Sequence, residues 1–139
     1  MSLGKMLSEN QTLSCLDVSG NYLGTDYFSR CVGPSMSQNS ALNILRCKSI
    51  GSTDVTVFMD NLVENNNLKE LCLSHNSITN STKMCEQITT WFKHDQCSLQ
   101  TLDIRNCQLK PGDLEILMGA VIYNKSLKTV DVSGNKVSN

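Results

Sequence analysis

The sequence lacks most of the features that would tie it to a membrane, a nucleic acid or a reaction. No apolar run in its 139 residues approaches the roughly 20 needed to span a bilayer. The opening residues, MSLGKMLSEN, have no apolar signal-peptide core. There is no long Lys/Arg run, and the formal net charge is −1, so electrostatics give no reason to bind nucleic acid or an anionic membrane. No glycine-rich phosphate loop, H-E-x-x-H motif or Ser-His-Asp order is present. The two histidines, His75 and His94, stand in a turn and after a helix. The expectation is therefore a chain that is not an enzyme, with no catalytic residue, no cofactor and no resident metal.

Cysteine is plentiful but unpaired in pattern. The seven are Cys15, Cys31, Cys47, Cys72, Cys85, Cys97 and Cys107, an odd number with no C-x-x-C pair. A disulfide framework or a zinc knuckle would use tighter, paired spacing. They read as reduced thiols, mostly small apolar fillers, in a cytoplasmic protein. Metal binding at Cys72 would need Cys47 or His75 as co-ligands. Three N-x-[ST] sequons, at Asn10, Asn80 and Asn124, read as chance matches in a chain rich in Asn, Ser and Thr.

What is present is a repeat. The pattern L-x-x-L-x-L-x-x-N/C-x-L fits LSCLDVSGNYL at 13–23 and LKELCLSHNSI at 68–78. It also fits LQTLDIRNCQL at 99–109, with Cys107 in the Asn place, and LKTVDVSGNKV at 127–137, with Val in two Leu places. LNILRCKSIGS at 42–52 is irregular. Leu42, Leu45 and Cys47 hold one register; Leu42, Ile44, Cys47 and Ile50 hold a rival. The first is favoured because QNSAL at 38–42 mirrors ENQTL at 9–13. The first Leu of each unit falls at 13, 42, 68, 99 and 127, in steps of 29, 26, 31 and 28.

These motifs resemble the leucine-rich repeat family over the whole chain, and the unit length resembles its ribonuclease-inhibitor-like subclass. The resemblance implies an α/β solenoid, or horseshoe, of about five units, with parallel strands on the concave side and helices on the convex side. The units lie near 13–38, 42–66, 68–95, 99–124 and 127–139, in a single domain or a fragment of a longer repeat protein.

The physics of each unit supports that reading. Alternation in LxLxx predicts a short strand with its leucines inward. Asn21, Asn76 and Asn135 then fall where the chain turns, and a buried amide there can bond both its own turn and its neighbour. Apolar residues at helical spacing, Val55/Phe58/Met59/Leu62, Met84/Ile88/Trp91 with Phe92, and Leu114/Leu117/Met118/Val121, predict helices packed on the strands. Pro111 suits a first helical turn. In 24–38, Gly33 and Pro34 predict a short helix followed by an irregular segment.

A functional surface would lie on the concave face, where outward residues alternate with buried Leu. One row reads Asp17, Arg46, Cys72, Asp103, Asp131. The next reads Ser19, Lys48, Ser74, Arg105, Ser133. A third holds Cys15, Glu70, Thr101 and Thr129. The candidate partner-binding residues are Asp17, Arg46, Lys48, Glu70, Cys72, Asp103, Arg105 and Asp131, with the arginines as the side chains best suited to anchor a protein partner. The alternative for the aspartates is a solvated acidic strip.

Two functions fit. One is a non-enzymatic module that binds a protein partner on the concave face. The other is a structural spacer or self-associating segment of a longer solenoid. Families that resemble the chain are the cytosolic nucleotide-sensing receptors, the Ran GTPase-activating proteins and the actin capping-protein regulators; SLQTLDIRNCQLK to SLKTVDVSGNKV looks like the last. Neither end carries an obvious polar cap. Leu127, Val130, Val132 and Val137 are expected to have an open flank, with self-association through that end or further repeats after it.

Overall fold

The computed structural model describes residues 2–136. Five three-residue strands form one parallel sheet in chain order: β1 (Cys15–Asp17), β2 (Ile44–Arg46), β3 (Glu70–Cys72), β4 (Thr101–Asp103) and β5 (Thr129–Asp131). Their central residues, Leu16, Leu45, Leu71, Leu102 and Val130, lie side by side in register. The inner three are fully buried, and the two at the ends are half-buried. Leu45 therefore stands in the row of the strand leucines, which settles the register of the irregular unit. There Ile50 takes the Asn slot and Ser52 the last Leu slot, both fully buried. The short step is absorbed by the brief helix that follows, α4 (Thr56–Leu62).

A helical segment precedes each strand: α1 (Leu3–Glu9) before β1, residues 25–36 before β2, α4 before β3, α5 (Ser81–Lys93) before β4 and α6 (Pro111–Val121) before β5. The stripes Val55/Phe58/Met59/Leu62 and Met84/Ile88/Trp91 are wholly buried, with Phe92 beside them. Met118 departs from expectation. Leu117 is buried but Met118 is 44% exposed, because no helix among the described residues lies on the far side of α6.

Segment 25–36 is helical throughout, as α2 (Thr25–Tyr27), a π-helical turn (Phe28–Val32) and α3 (Gly33–Met36). The expected irregular stretch is absent for two reasons. Pro34 falls in the first turn of α3, where its missing N–H is harmless. Gly33 lets the helix approach α4, since a Cβ there would lie 3.2 Å from Phe58 Cα. Phe28 and Phe58 then pack with ring centroids 4.6 Å apart.

The turn asparagines tie each unit to the one before it. Asn76 Nδ2 donates to the carbonyls of Cys47 and Leu73, while Ile50 N–H donates to its Oδ1. Asn135 does the same for Ile104 O, Val132 O and the N–H groups of Cys107 and Leu109. Cys107, in the Asn slot, directs its Sγ to Leu73 O at 3.2 Å. Asn21 corrects the expectation of burial: it is exposed and bonds only its own turn, at Val18 O and Ser19 O, because no strand precedes β1 among the described residues. Val137 lies outside the described residues.

A second asparagine ladder runs at the other end of the strands. Asn10, Asn39, Asn65 and Asn124 each stand three residues before the first Leu of a unit. Each Oδ1 accepts the N–H of that Leu, at 2.7–2.9 Å. The Nδ2 groups of Asn39, Asn65 and Asn124 donate to helix carbonyls of the preceding unit, Leu7 O, Met36 O and Phe92 O. The sequon reading at Asn124 meets a committed amide, while Asn80 stands exposed at the start of α5.

Candidate functional site

Parallel pairing carries the outward residues into rows, one side chain per strand, about 4.8 Å apart. Asp17 pairs with Arg46, Arg46 with Cys72, Cys72 with Asp103 and Asp103 with Asp131. Within this frame the two arginines are already matched to carboxylates. Arg46 Nε donates to Glu70 Oε1 at 2.7 Å. Arg105 grips Asp103 with two bonds, Nε to Oδ1 at 2.9 Å and Nη2 to Oδ2 at 2.8 Å, and its Nε lies 3.5 Å from Asp131 Oδ2. The arginines are thus held rather than free. Lys48 is exposed, and among the described residues its ammonium has no ion-pair partner.

The three aspartates have a backbone task as well. Asp17, Asp103 and Asp131 each accept the N–H two residues on, from Ser19, Arg105 and Ser133, at 2.9–3.1 Å. This is an Asx turn, and it bends the chain out of the strand. The repeated D-x-[SR] in LDVS, LDIR and VDVS was the signal for it. The bonds from Ser19 and Ser133 hold Asp17 and Asp131 below the usual carboxylate range. Burial pushes Asp103 up, but the hydrogen bonds from Arg105 outweigh it and the net shift is downward.

Cys72 occupies its expected row but is buried, at 9% exposure. Its short side chain sinks between the Arg46 and Asp103 strands, where Sγ lies 3.2 Å from Ser74 Oγ and 3.4 Å from Asp103 Oδ2. Burial raises its pKa, which disfavours the thiolate form. Among the described residues no group of three His, Cys, Asp or Glu side chains could hold a metal ion. All seven cysteines are free; burial pushes Cys85 and Cys107 up to about 12.

Tyr22 was missed by the sequence reading. It is 87% exposed, at the turn leaving β1, and its ring lies over Gly51, where any Cβ would collide with it. Its place between Asn21 and Leu23 was the available sign, since alternation turns the middle residue outward.

Comparison with known proteins agrees with this architecture. A family model described as Leucine Rich repeat matches residues 9–26 and 123–139. A second, Leucine Rich Repeat, matches 67–90 and 98–119. The chain is 31% identical over 138 residues to NACHT, LRR and PYD domains-containing protein 14 of Mus musculus, covering 98% of this chain and 14% of that protein. The Homo sapiens protein of the same name is 26% identical, over 97% of this chain and 12% of the relative. NACHT, LRR and PYD domains-containing protein 4C of Mus musculus is 27% identical, over 96% and 14%. The chain thus spans a small part of these relatives. None of the three is a capping-protein regulator or a GTPase-activating protein by name, so the resemblance of 98–110 and 126–137 to the former finds no support.

Proposed function

The chain belongs to the leucine-rich repeat family, and on that premise we propose that it is a non-enzymatic module that binds a protein partner through its concave strand face. The observation that carries the reading is the preassembled charge array. Arg105, forked on Asp103, keeps 39% of its side chain exposed, and Arg46, held by Glu70, keeps 41%. Side chains already fixed by neighbours lose little freedom on binding, so contacts made through them cost less. Asp17, Lys48 and Asp131 extend the array, and Tyr22 supplies the aromatic anchor that the strand rows lack.

A reduced compartment suits the seven free thiols, four of them buried, and we place the protein in the cytoplasm. Among the described residues no helix is long and apolar enough to cross a membrane.

The test is affinity capture with the intact chain against four single variants, with bound proteins quantified by mass spectrometry. Tyr22→Ala, Lys48→Glu and Asp17→Lys should each deplete the same partner. Lys83→Glu, on exposed α5 surface, should retain it. Loss with Lys83→Glu alone would overturn the concave-face reading.

A further inference from the structure

We infer that the protein partner presents a short acidic segment, laid across the strands along the edge where the chain leaves them. Lys48 and His75 face its carboxylates there, and Tyr22 packs beside it. The inference rests on the concave-face reading and names the chemistry of what binds.

The two edges of the concave face differ in charge. On the exit edge, residues 19–23, 48–52, 74–78, 105–109 and 133–136 include Lys48, His75, Arg105 and Lys136 but no Asp or Glu. On the entry edge, residues 9–14, 38–43, 64–69, 95–100 and 123–128 carry Glu9, Glu64 and Asp95 against Lys69, Lys125 and Lys128. The entry edge is balanced, whereas the exit edge has a single sign. In a chain of net charge −1 that edge is a local positive field, and it favours an acidic ligand.

The edge is also regularly spaced. The backbone ladder runs on past the strands: the N–H groups of Gly20, Ser49, His75 and Asn106 donate to the carbonyls of Lys48, Ser74, Arg105 and Ser133 at 2.9–3.1 Å. Successive units therefore stand about 4.8 Å apart here too. Tyr22 belongs to the first unit, Lys48 to the second, His75 to the third and Arg105 to the fourth. Lys48 and His75 are exposed, and neither has an ion-pair partner among the described residues. Arg105, though gripped by Asp103, keeps 39% of its side chain exposed. From Tyr22 to Arg105 is three strand steps, about 14 Å, which an extended segment of about five residues covers.

The backbone gives an independent sign. One position of this edge is left-handed in every unit: Gly20, Ser49, His75, Asn106 and Gly134, with φ of 76°, 52°, 59°, 50° and 71°. Glycine takes that conformation without steric cost, whereas Ser49, His75 and Asn106 bear strain. The outer two units use glycine, and the inner three carry side chains that the turn does not need. Asn106 Nδ2 lies 3.4 Å from His75 Nε2, which steadies the ring on the surface. Side chains kept against strain, on the one edge with a single sign of charge, mark a contact surface. A nucleic acid fits it less well. Its affinity comes from neutralising many phosphates, and this edge offers at most one positive side chain per unit.

The test is fluorescence polarisation of the intact chain with labelled hexaglutamate, hexalysine and an oligothymidylate of equal length. Hexaglutamate should bind more tightly than the other two and weaken as salt rises. Lys48→Glu and His75→Gly should each weaken it by about threefold or more. Lys69→Glu, on the entry edge, should leave it unchanged. His75→Gly should also raise the urea midpoint, because glycine relieves the strain at φ 59°. Lost binding in a more stable protein is then loss of the side chain, not of the fold. Tighter binding of hexalysine or the oligothymidylate, an equal loss with Lys69→Glu, or unchanged affinity in His75→Gly would each overturn the proposal. The wider reading is judged separately, by capture of the partner. If capture still responds to Tyr22→Ala and Asp17→Lys while hexaglutamate does not bind, the acidic segment is wrong and the concave face stands. If capture ignores every concave variant, both fall.

Discussion

Ser81 Oγ donates to Asp113 Oδ2 across 2.6 Å, joining the first turn of α5 to the first turn of α6. Thr82 Oγ1 donates to Oδ1 at 2.6 Å and Lys110 N–H to Oδ2 at 2.9 Å, so both carboxylate oxygens of a side chain only 2% exposed are engaged. Burial raises the Asp113 pKa, but these donors outweigh it and the net shift is below 3.8. Its contribution is therefore complete above the unfolded pKa and is lost as pH falls through the folded one. Asp17, Asp103 and Asp131 shift in the same direction. Thermal midpoints should hold from neutral pH to about 5 and fall as pH drops below about 4. Asp113→Ala should cost about 1–3 kcal/mol at neutral pH, by leaving the Ser81 hydroxyl buried without a partner, and should flatten the acid limb. An unchanged acid limb would mean that Asp113 is not among the groups driving it.

Leu71→Ala should cost about 2–5 kcal/mol, because Leu71 is fully buried mid-sheet and its removal leaves a cavity between Leu45 and Leu102. Lys69→Ala, two residues away and exposed, should cost under about 0.5 kcal/mol. Urea melts separate the two, and equal losses would contradict the strand register.

The strands and most helices were legible because a leucine that must face inward at fixed intervals leaves its spacing in the sequence. The row of each concave residue followed from alternation. The pairings within rows did not, because Arg46 has Asp17 beside it and Glu70 diagonally across, and only the folded geometry selects Glu70. Cys72 was unreadable for the same reason: whether a short side chain in an outward slot is covered depends on its neighbours. The π-helical turn was missed because Gly33 reads as a breaker, whereas here it permits a close helix contact. The second asparagine ladder was visible in part, in ENQTL and QNSAL, but its bonds reach back 29–32 residues.

That ladder should be as important as the first. Asn65 is buried, accepts from Asn67 and Leu68 N–H, and donates to Met36 O. Asn65→Ala and Asn76→Ala should each cost about 1–3 kcal/mol, since each strands buried backbone groups. Cys107→Ala should cost less, because a thiol is a weak donor. A melting series on the three single variants checks the order.

The arginines should register in stability as well as in binding. Arg105→Glu would set a third carboxylate beside Asp103 and Asp131, and Arg46→Glu would face Glu70. Both should melt below the unaltered protein at low salt, with part of the loss recovered at high salt. Lys48→Glu, with no ion-pair partner among the described residues, should not shift the midpoint. Binding losses with Arg105→Glu are therefore interpretable only beside Lys48→Glu.

Two glycines in helices should respond in opposite directions to the same substitution. In α1, a Cβ on Gly4 would collide with the carbonyl oxygen of Cys31, a backbone atom of the π-helical turn. Gly4→Ala must push α1 off that turn, disturbing the burial of Leu7 and the bond from Asn39 Nδ2 to Leu7 O. In α6, Gly119 has nothing within 4 Å of the added carbon and is exposed. Gly119→Ala should stabilise by about 0.5–1 kcal/mol, the helix-propensity difference alone. Gly4→Ala gains the same propensity but loses more through the clash, so its net sign is destabilising. Denaturant melts of both should bracket the unaltered protein. If Gly4→Ala also stabilises, the close approach of α1 to the π-helical turn is not part of the folded state.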